Sequence, residues 1–198
     1  MNIIAESIRN LKLHNAKSRE NHIEKLLDYY NGNDTANYIK KMFSGAAFSE
    51  IPPVETNITR KFINKMSRIY TIGATRRAGD RYSDLTTIKD ARMKHIERMT
   101  RLCGTIATRV VWNESESPYF DYRPIYFFHV FFGDDPFIPT ALSYPILQPV
   151  EDSSKVEKLT YAYWDAERYI SMDEDGTIIA EIPHNYGVLP FVFTHREN

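Results

Sequence analysis

The chain has 198 residues, of which 42% are hydrophobic and 26% charged, so it can bury a core and differs in composition from disordered proteins. Its single cysteine, Cys103, excludes a disulfide within the chain. No stretch approaches the roughly 20 apolar residues that a membrane-spanning helix needs, and the apolar run in residues 1–8 is too short for a signal peptide. We therefore expect a soluble protein without a membrane partner.

The net charge of −1 conceals a division between the two halves of the chain. Residues 1–110 carry 20 Lys and Arg against 11 Asp and Glu, whereas residues 111–198 carry 5 against 15. This asymmetry is typical of opposed surfaces, either within one molecule or between neighbouring copies. Two separately solvated regions of a monomer would produce the same pattern, so charge alone leaves the question open.

The first half of the chain has the periodicity of amphipathic helices. Ser18 is a candidate N-cap, and Gly32, Gly73 and Gly104, after the first, third and last predicted helices, are candidate stops. The third helix is predicted to bury a stripe made of Ile58, Phe62, Ile63, Met66, Ile69 and Tyr70. The predicted helices run from Ser18 to Asn31, from Asp34 to Phe43, from Asn57 to Gly73, and from about Thr87 to Leu102 before Gly104.

After Gly104 the pattern changes to alternating, β-branched and aromatic residues, which favour strands. Gly176 can supply the positive φ of the turn Asp173–Gly176 between two of them. The predicted strand segments are Thr105–Trp112, Tyr119–Phe132, Pro139–Pro149, Leu159–Trp164, Arg168–Met172, Thr177–Glu181 and Leu189–Thr194.

Helices followed by a run of strands predict an α+β fold with N-terminal helices and an antiparallel β-meander, not alternating βαβ units. We expect two regions, residues 1–103 helical and residues 104–198 antiparallel β, packed together as one unit.

Motifs that carry chemistry are missing from the sequence. The six histidines and the lone cysteine form no metal-ligand pattern, and no phosphate-binding or nucleophile-elbow glycine motif occurs. The surroundings of His95 and His129 favour hydrogen-bonded core histidines over ligands. The acidic clusters Asp134-Asp135, Asp165-Ala166-Glu167 and Asp173-Glu174-Asp175 lie in predicted turns, where Asp bonds the local backbone. We predict a protein that is not an enzyme, with no catalytic residue, metal or cofactor.

Basic residues are the main candidates for a binding surface. Four lie on the polar side of the third helix, two follow its end, and four more lie on the next helix. They could form a solvated face, contact an acidic neighbouring subunit, or bind phosphates. The candidate subunit or phosphate contacts are Arg60, Lys61, Lys65, Arg68, Arg76 and Arg77, and the second group is Arg92, Lys94, Arg98 and Arg101.

Four runs of residues resemble segments of the portal proteins of tailed bacteriophages. The run Leu26–Gly32, with the sequence LLDYYNG, is followed by a proline loop and by Glu55–Lys65, ETNITRKFINK. Arg109–Trp112 then leads into proline-bounded strands, and His184–Phe193, HNYGVLPFVF, is similar to the segment that closes the β-part of the portal wing. The resemblance extends in order from about residue 18 to the end of the chain.

The resemblance implies a structural virion protein that forms a dodecameric ring at one capsid vertex, assembled in the host cytoplasm. DNA would be packaged and ejected through this head-tail connector. The implied partners are the terminase, the capsid or scaffold proteins and the head-completion proteins. It also implies that the chain is the wing part, with stem and clip helices expected after Asn198.

Three alternatives remain at this level. One is a nucleic-acid-binding module that uses the basic helices, and another is a different head-tail connector or adaptor component. The third is a metal-dependent hydrolase that uses Asp134, Asp135 and a histidine.

Overall fold

The computed structural model describes residues 3–33, 38, 41, 57–70, 89–113, 119–148 and 158–196. These segments have helices first and antiparallel strands afterwards, so the predicted α+β fold is confirmed. The helices are α1 (Ile3–Lys12), α2 (His14–Asn31), α3 (Ile58–Met66) and α4 (Lys89–Cys103). The strands are β1 (Thr105–Asn113), β2 (Tyr119–Ile125), β3 (His129–Phe132), β4 (Pro139–Gln148), β5 (Lys158–Trp164), β6 (Arg168–Met172), β7 (Ile178–Pro183) and β8 (Phe191–His195).

The start of α2 differs from the prediction. The helix begins at His14, so Ser18 lies inside it and is not its N-cap. The break between α1 and α2 is at Leu13, whose φ of −59° and ψ of 147° are extended and whose carbonyl accepts the N–H of Lys17. The predicted end is confirmed, since Gly32 adopts a φ of 81° and donates its N–H to the Asp28 carbonyl.

Helix α3 begins where predicted but is shorter. Asn57 adopts a φ of 41°, and its side-chain oxygen accepts the N–H of Arg60 at 3.3 Å, which caps the first turn. The helix ends at Met66, well before the predicted stop at Gly73, a residue outside the described segments. Helix α4 ends at Cys103, and the φ of 87° at the following residue, Gly104, confirms the predicted stop. The helix predicted from Asp34 to Phe43 lies largely outside the described residues.

The strands form two antiparallel sheets. One has three strands in the order β2-β1-β8, and the other has five in the order β3-β4-β5-β6-β7, a meander. The segment Tyr119–Phe132 therefore divides into two strands that belong to different sheets. The last strand returns to the first, with Thr105 opposite His195 and Arg109 opposite Phe191.

Alternation along β1 and β5 explains how the layers stack, because successive residues of a strand face opposite sides. Ile106 packs with residues of α2, α3 and α4, whereas Ala107 packs between the sheets. In β5, Trp164 joins the core between the sheets, and Tyr163 packs with Ile8 and Leu11 of α1 on the opposite face. The order of layers is therefore α1, the five-stranded sheet, the three-stranded sheet, and the remaining helices.

None of the helices in the described segments is both long and apolar enough to cross a membrane.

Candidate interaction surfaces

The described segments contain no group of three or more His, Cys, Asp or Glu side chains that could hold a metal ion. The acidic clusters bond their local backbone instead. Asp135 accepts the N–H of Phe137 at 2.8 Å, and Asp173 accepts those of Asp175 and Thr177. These contacts are the ones that Asp makes in turns.

The two histidines singled out by the sequence are partly buried and hydrogen-bonded. His95 Nε2 lies 3.0 Å from the Tyr126 hydroxyl, and burial, with Arg92 and Arg98 nearby, lowers the pKa of His95. His129 Nε2 lies 3.2 Å from Asn10 Nδ2, and burial lowers its pKa as well. Both arrangements fit a packing role for a neutral imidazole.

The basic residues of α3, and Arg68 just after it, are exposed and lie on a segment without acidic residues, residues 57–70. Arg60 lies over the Tyr30 ring at 5.7 Å, and Arg68 donates from Nε to the Lys65 carbonyl at 3.0 Å. Lys61 and Lys65 have no ion-pair partner in the described part of the chain. The other two predicted contacts, Arg76 and Arg77, lie outside the described residues.

The apolar stripe predicted to be buried on α3 is mostly exposed, and that prediction is wrong. Only Ile63 is buried, in the core shared with α2 and α4. The exposed fractions are 69% for Ile58, 59% for Phe62 and 44% for Met66, and Ile69 beyond the helix is 70% exposed. A nine-residue helix packs against its neighbours through few residues, so most side chains of a wide apolar stripe remain exposed to solvent.

Residues 58, 62 and 66 are spaced i, i+4 and i+8 and therefore share one face of α3, and residues 61 and 65 adjoin them on the next row. We call this set the α3 surface: Ile58, Lys61, Phe62, Lys65 and Met66.

The basic residues of α4 differ from those of α3 because some of them have carboxylate partners. Arg92 Nε lies 3.5 Å from Asp121, and Arg101 Nε lies 3.7 Å from Glu97. Glu97 also accepts the N–H of Ile69 at 3.3 Å. The charge of α4 is thus partly neutralised within the molecule, whereas that of α3 faces solvent.

A cavity of about 720 Å³ lies between the end of α3, α4 and β8. Its walls include Met93 and Ile96, and its polar groups include Glu97 and Arg101. The hydroxyls of Thr100 and Thr194, also in its lining, lie 2.8 Å apart. Glu97 pairs with Arg101 at 3.7 Å and accepts the N–H of Ile69, but Glu97 Oε2 and Arg101 Nε are buried without a hydrogen-bond partner, so the polar lining is only partly satisfied within the described segments.

A second exposed apolar surface lies at β7 and the connection from β7 to β8. Ile182 is 54% exposed, Tyr186 60% and Val188 65%. A depression of about 510 Å³ near the connection is lined by Pro183, Asn185 and Gly187 and by the exposed charged residues Glu167, Arg168 and Glu181, not by these apolar side chains. We call this set the β7–β8 surface: Glu167, Glu181, Ile182, Tyr186 and Val188.

A stack of side chains supports Tyr186 from below. The Arg109 guanidinium lies 4.0 Å from the centre of the Trp164 ring, and the His184 ring stacks on Trp164 at 5.5 Å. Tyr186 stacks on His184 at 4.4 Å with 26° between the rings. The backbone N–H groups of His184 and Asn185 both donate to the Glu167 carbonyl, which holds the connection against the turn between β5 and β6.

Sequence reasoning missed this stack because its members come from β1, β5 and the β7–β8 connection. The available local signal was the run Asn185-Tyr186-Gly187, in which Asn185 has a φ of 53° and Gly187 a φ of 68°. Two residues that favour the left-handed region, separated by a single residue, indicate a tight loop.

An ion-pair cluster lies next to this surface. Arg168 donates to Asp165 at 3.2 Å and to Glu181 at 2.8 Å. Partial burial raises the pKa of Asp165, but the N–H donors of Glu167 and Arg168 and the Arg168 guanidinium outweigh it, so the pKa is lowered overall. Residues 165–187 carry six carboxylates and one arginine. Three of these carboxylates, Asp173, Glu174 and Asp175, lie in the turn at the other end of β6 and β7. The end of the sheet that carries Arg168 therefore has three carboxylates, Asp165, Glu167 and Glu181, against one arginine, and it is acidic overall.

A scan against models of protein families finds no match for this chain. A search of curated proteins finds none that is significantly similar to it.

Proposed function

We propose that the protein is a structural subunit of a phage head-tail connector, a portal-type subunit that assembles with copies of itself. The observation that carries the proposal is a pair of unlike exposed surfaces, one apolar and basic on α3, the other apolar and acidic at β7–β8. Exposed apolar patches with polar rims mark interaction sites. Two different surfaces on one chain allow head-to-tail contacts, which close into a ring when the rotation between copies permits.

Two further observations support an assembly role. The acidic clusters bond their local backbone, which is the structural role that Asp takes in turns. The element order also agrees with the resemblance to portal proteins, which have helices before the β-part of the wing. Passage of DNA, and contacts with terminase, capsid and head-completion proteins, are part of the same proposal, as is a place in the virion.

The proposal is tested by the oligomeric state of the purified chain. Native mass spectrometry should detect defined multiples of the 23.1 kDa subunit, and negative-stain electron microscopy should show closed rings, with a dodecamer expected. A chain that stays monomeric at concentrations of about 100 µM, well above the dissociation constants of stable complexes, would contradict the proposal.

Exposed lysines on α3 also fit a nucleic-acid-binding module. A DNA-binding measurement on the same purified chain distinguishes this function from self-assembly. A phosphate-binding surface gives an affinity for duplex DNA that falls linearly with salt on logarithmic axes, with a slope that grows with the number of phosphates contacted. We expect weak binding with a small slope for the chain alone, because the α3 surface alternates basic and apolar rows.

A further inference from the structure

Resting on the proposed function, we infer that the α3 surface of one copy docks onto the β7–β8 surface of a second copy. The partner is therefore the same chain, and the two surfaces are different parts of it. This assigns the subunit contact to particular residues, beyond the general proposal of a ring.

The apolar components of the two surfaces match in kind and number. Ile58, Phe62 and Met66 form a ridge about 12 Å long on α3, given a helical rise of about 1.5 Å per residue. Ile182, Tyr186 and Val188 supply three exposed apolar side chains beside a shallow depression. A helical ridge laid along the β7–β8 connection would cover Tyr186 and Val188 together with its own apolar side chains, and removing apolar surface from water is the main favourable contribution to association.

The charges select this pairing over the alternatives. The α3 segment, residues 57–70, has four basic residues and no acidic one, so two α3 surfaces repel each other. Two β7–β8 surfaces repel each other for the opposite reason. The Glu167 carboxylate is exposed and, like Lys61 and Lys65, has no ion-pair partner in the described segments, so these groups are available to a neighbouring copy.

The aromatic part of the β7–β8 surface, the Tyr186 ring, is held in place by neighbouring side chains. The stack of Arg109, Trp164, His184 and Tyr186 holds the last ring against His184, while Tyr186 itself is 60% exposed. A lysine ammonium over that ring would gain a cation–π contact in addition to its carboxylate. Because the ring is held before docking, little conformational entropy is lost there on association.

Charge reversal on each side, followed by mixing, tests the inference in the full chain. Variant A carries Lys61→Glu and Lys65→Glu, and variant B carries Glu167→Lys and Glu181→Lys. In A alone both surfaces are acidic, and in B alone both are basic, so each should associate at least about tenfold more weakly than the unmodified chain. In an equimolar mixture every junction joins opposite charges, so assembly should return in alternating A–B order.

Controls keep the result specific to the interface. Arg9→Glu on α1 and Asp134→Lys in the turn after β3 reverse exposed charges elsewhere and should leave assembly unchanged. Loss of the Arg168–Glu181 ion pair is tolerated, because exposed ion pairs contribute only about 0–1 kcal/mol. Circular dichroism melts of A and B should therefore stay close to that of the unmodified chain.

The possible outcomes separate the inference from the proposed function. Sedimentation velocity that shows A and B monomeric alone and assembled together supports the inference. Assembly of A and B alone, like the unmodified chain, overturns the inference and leaves the ring proposal standing. Failure of the mixture to recover overturns it too. An unmodified chain that never self-associates overturns both.

Discussion

The orientation of α3 is tested by making the same substitution on its two faces. Ile63→Ala removes three carbons from a side chain that is 7% exposed in the core with Tyr30, Met99 and Ile106. Ile58→Ala removes the same atoms from a side chain that is 69% exposed. Both substitutions are Ile→Ala on the same helix, so any difference in their effect on stability comes from the difference in burial.

The expected magnitudes follow from the buried fraction of each side chain. Three buried carbons at about 0.8 kcal/mol each give roughly 2 kcal/mol for Ile63, and the cavity left behind raises the cost to about 3 kcal/mol. Only about a third of the Ile58 side chain is buried, so Ile58→Ala loses about a third of that transfer free energy, roughly 0.7 kcal/mol. The higher helix propensity of Ala offsets about 0.4 kcal/mol of it. The net cost of Ile58→Ala is therefore expected within about 0.5 kcal/mol of zero.

Urea denaturation followed by circular dichroism at a concentration where the chain is monomeric measures both free energies of unfolding. The midpoint should fall strongly for Ile63→Ala and hardly at all for Ile58→Ala, with equal slopes. Equal losses in the two variants would refute the orientation of α3 and, with it, the α3 surface. Above the association concentration, Ile58→Ala should weaken self-association, since Ile58 belongs to the docking ridge.

Three further predictions concern single residues. Because burial lowers the pKa of His95, the unfolded state takes up a proton first as the pH falls below about 6.5, so stability is full above that pH and is lost below it. His95→Gln should reduce the fall in the urea midpoint between pH 7.5 and pH 5.5. An unchanged dependence of the midpoint on pH would contradict the lowered pKa of His95. Asp165 also has a lowered pKa, so its contribution is present above its ordinary value near 4 and is lost as the pH falls further; Asp165→Asn should diminish the loss of stability in that acid range. Gly104→Ala forces a side chain into a φ of 87° and should cost about 1–2 kcal/mol of unfolding free energy, whereas an unchanged thermal midpoint would show that the α4 stop relaxes.

Local features of the fold were predictable from the sequence because they depend on neighbouring residues. Strand β6 has the predicted bounds, and the positive φ values of Gly32, Gly104 and Gly176 follow from the needs of helix ends and turns. The bonding of the aspartates to turn backbones follows from the same short-range chemistry. These are contacts within a few residues of the chain.

Long-range features could not be read in the same way. Apolar periodicity shows that α3 has an apolar side, but not how much of it other elements cover, and only Ile63 is buried. The split of Tyr119–Phe132 between two sheets follows from its strand partners, since β2 pairs with β1 and β3 pairs with β4, and the three-stranded sheet is completed by the pairing of β8 with β1 across about ninety residues. The stack below Tyr186 depends on that pairing as well, since it places Arg109 of β1 against Trp164 of β5.

The central claim, that unlike surfaces of separate copies meet, is tested most directly by disulfide cross-linking of the chain. Phe62→Cys and Val188→Cys each place a thiol at an exposed position of one surface, while burial raises the pKa of Cys103 to about 11 and keeps it unreactive. On a non-reducing gel, an oxidised mixture of the two variants should yield a covalent dimer, and each variant alone should stay monomeric. Equal cross-linking of either variant with itself, or no cross-linking in the mixture, would contradict the claim.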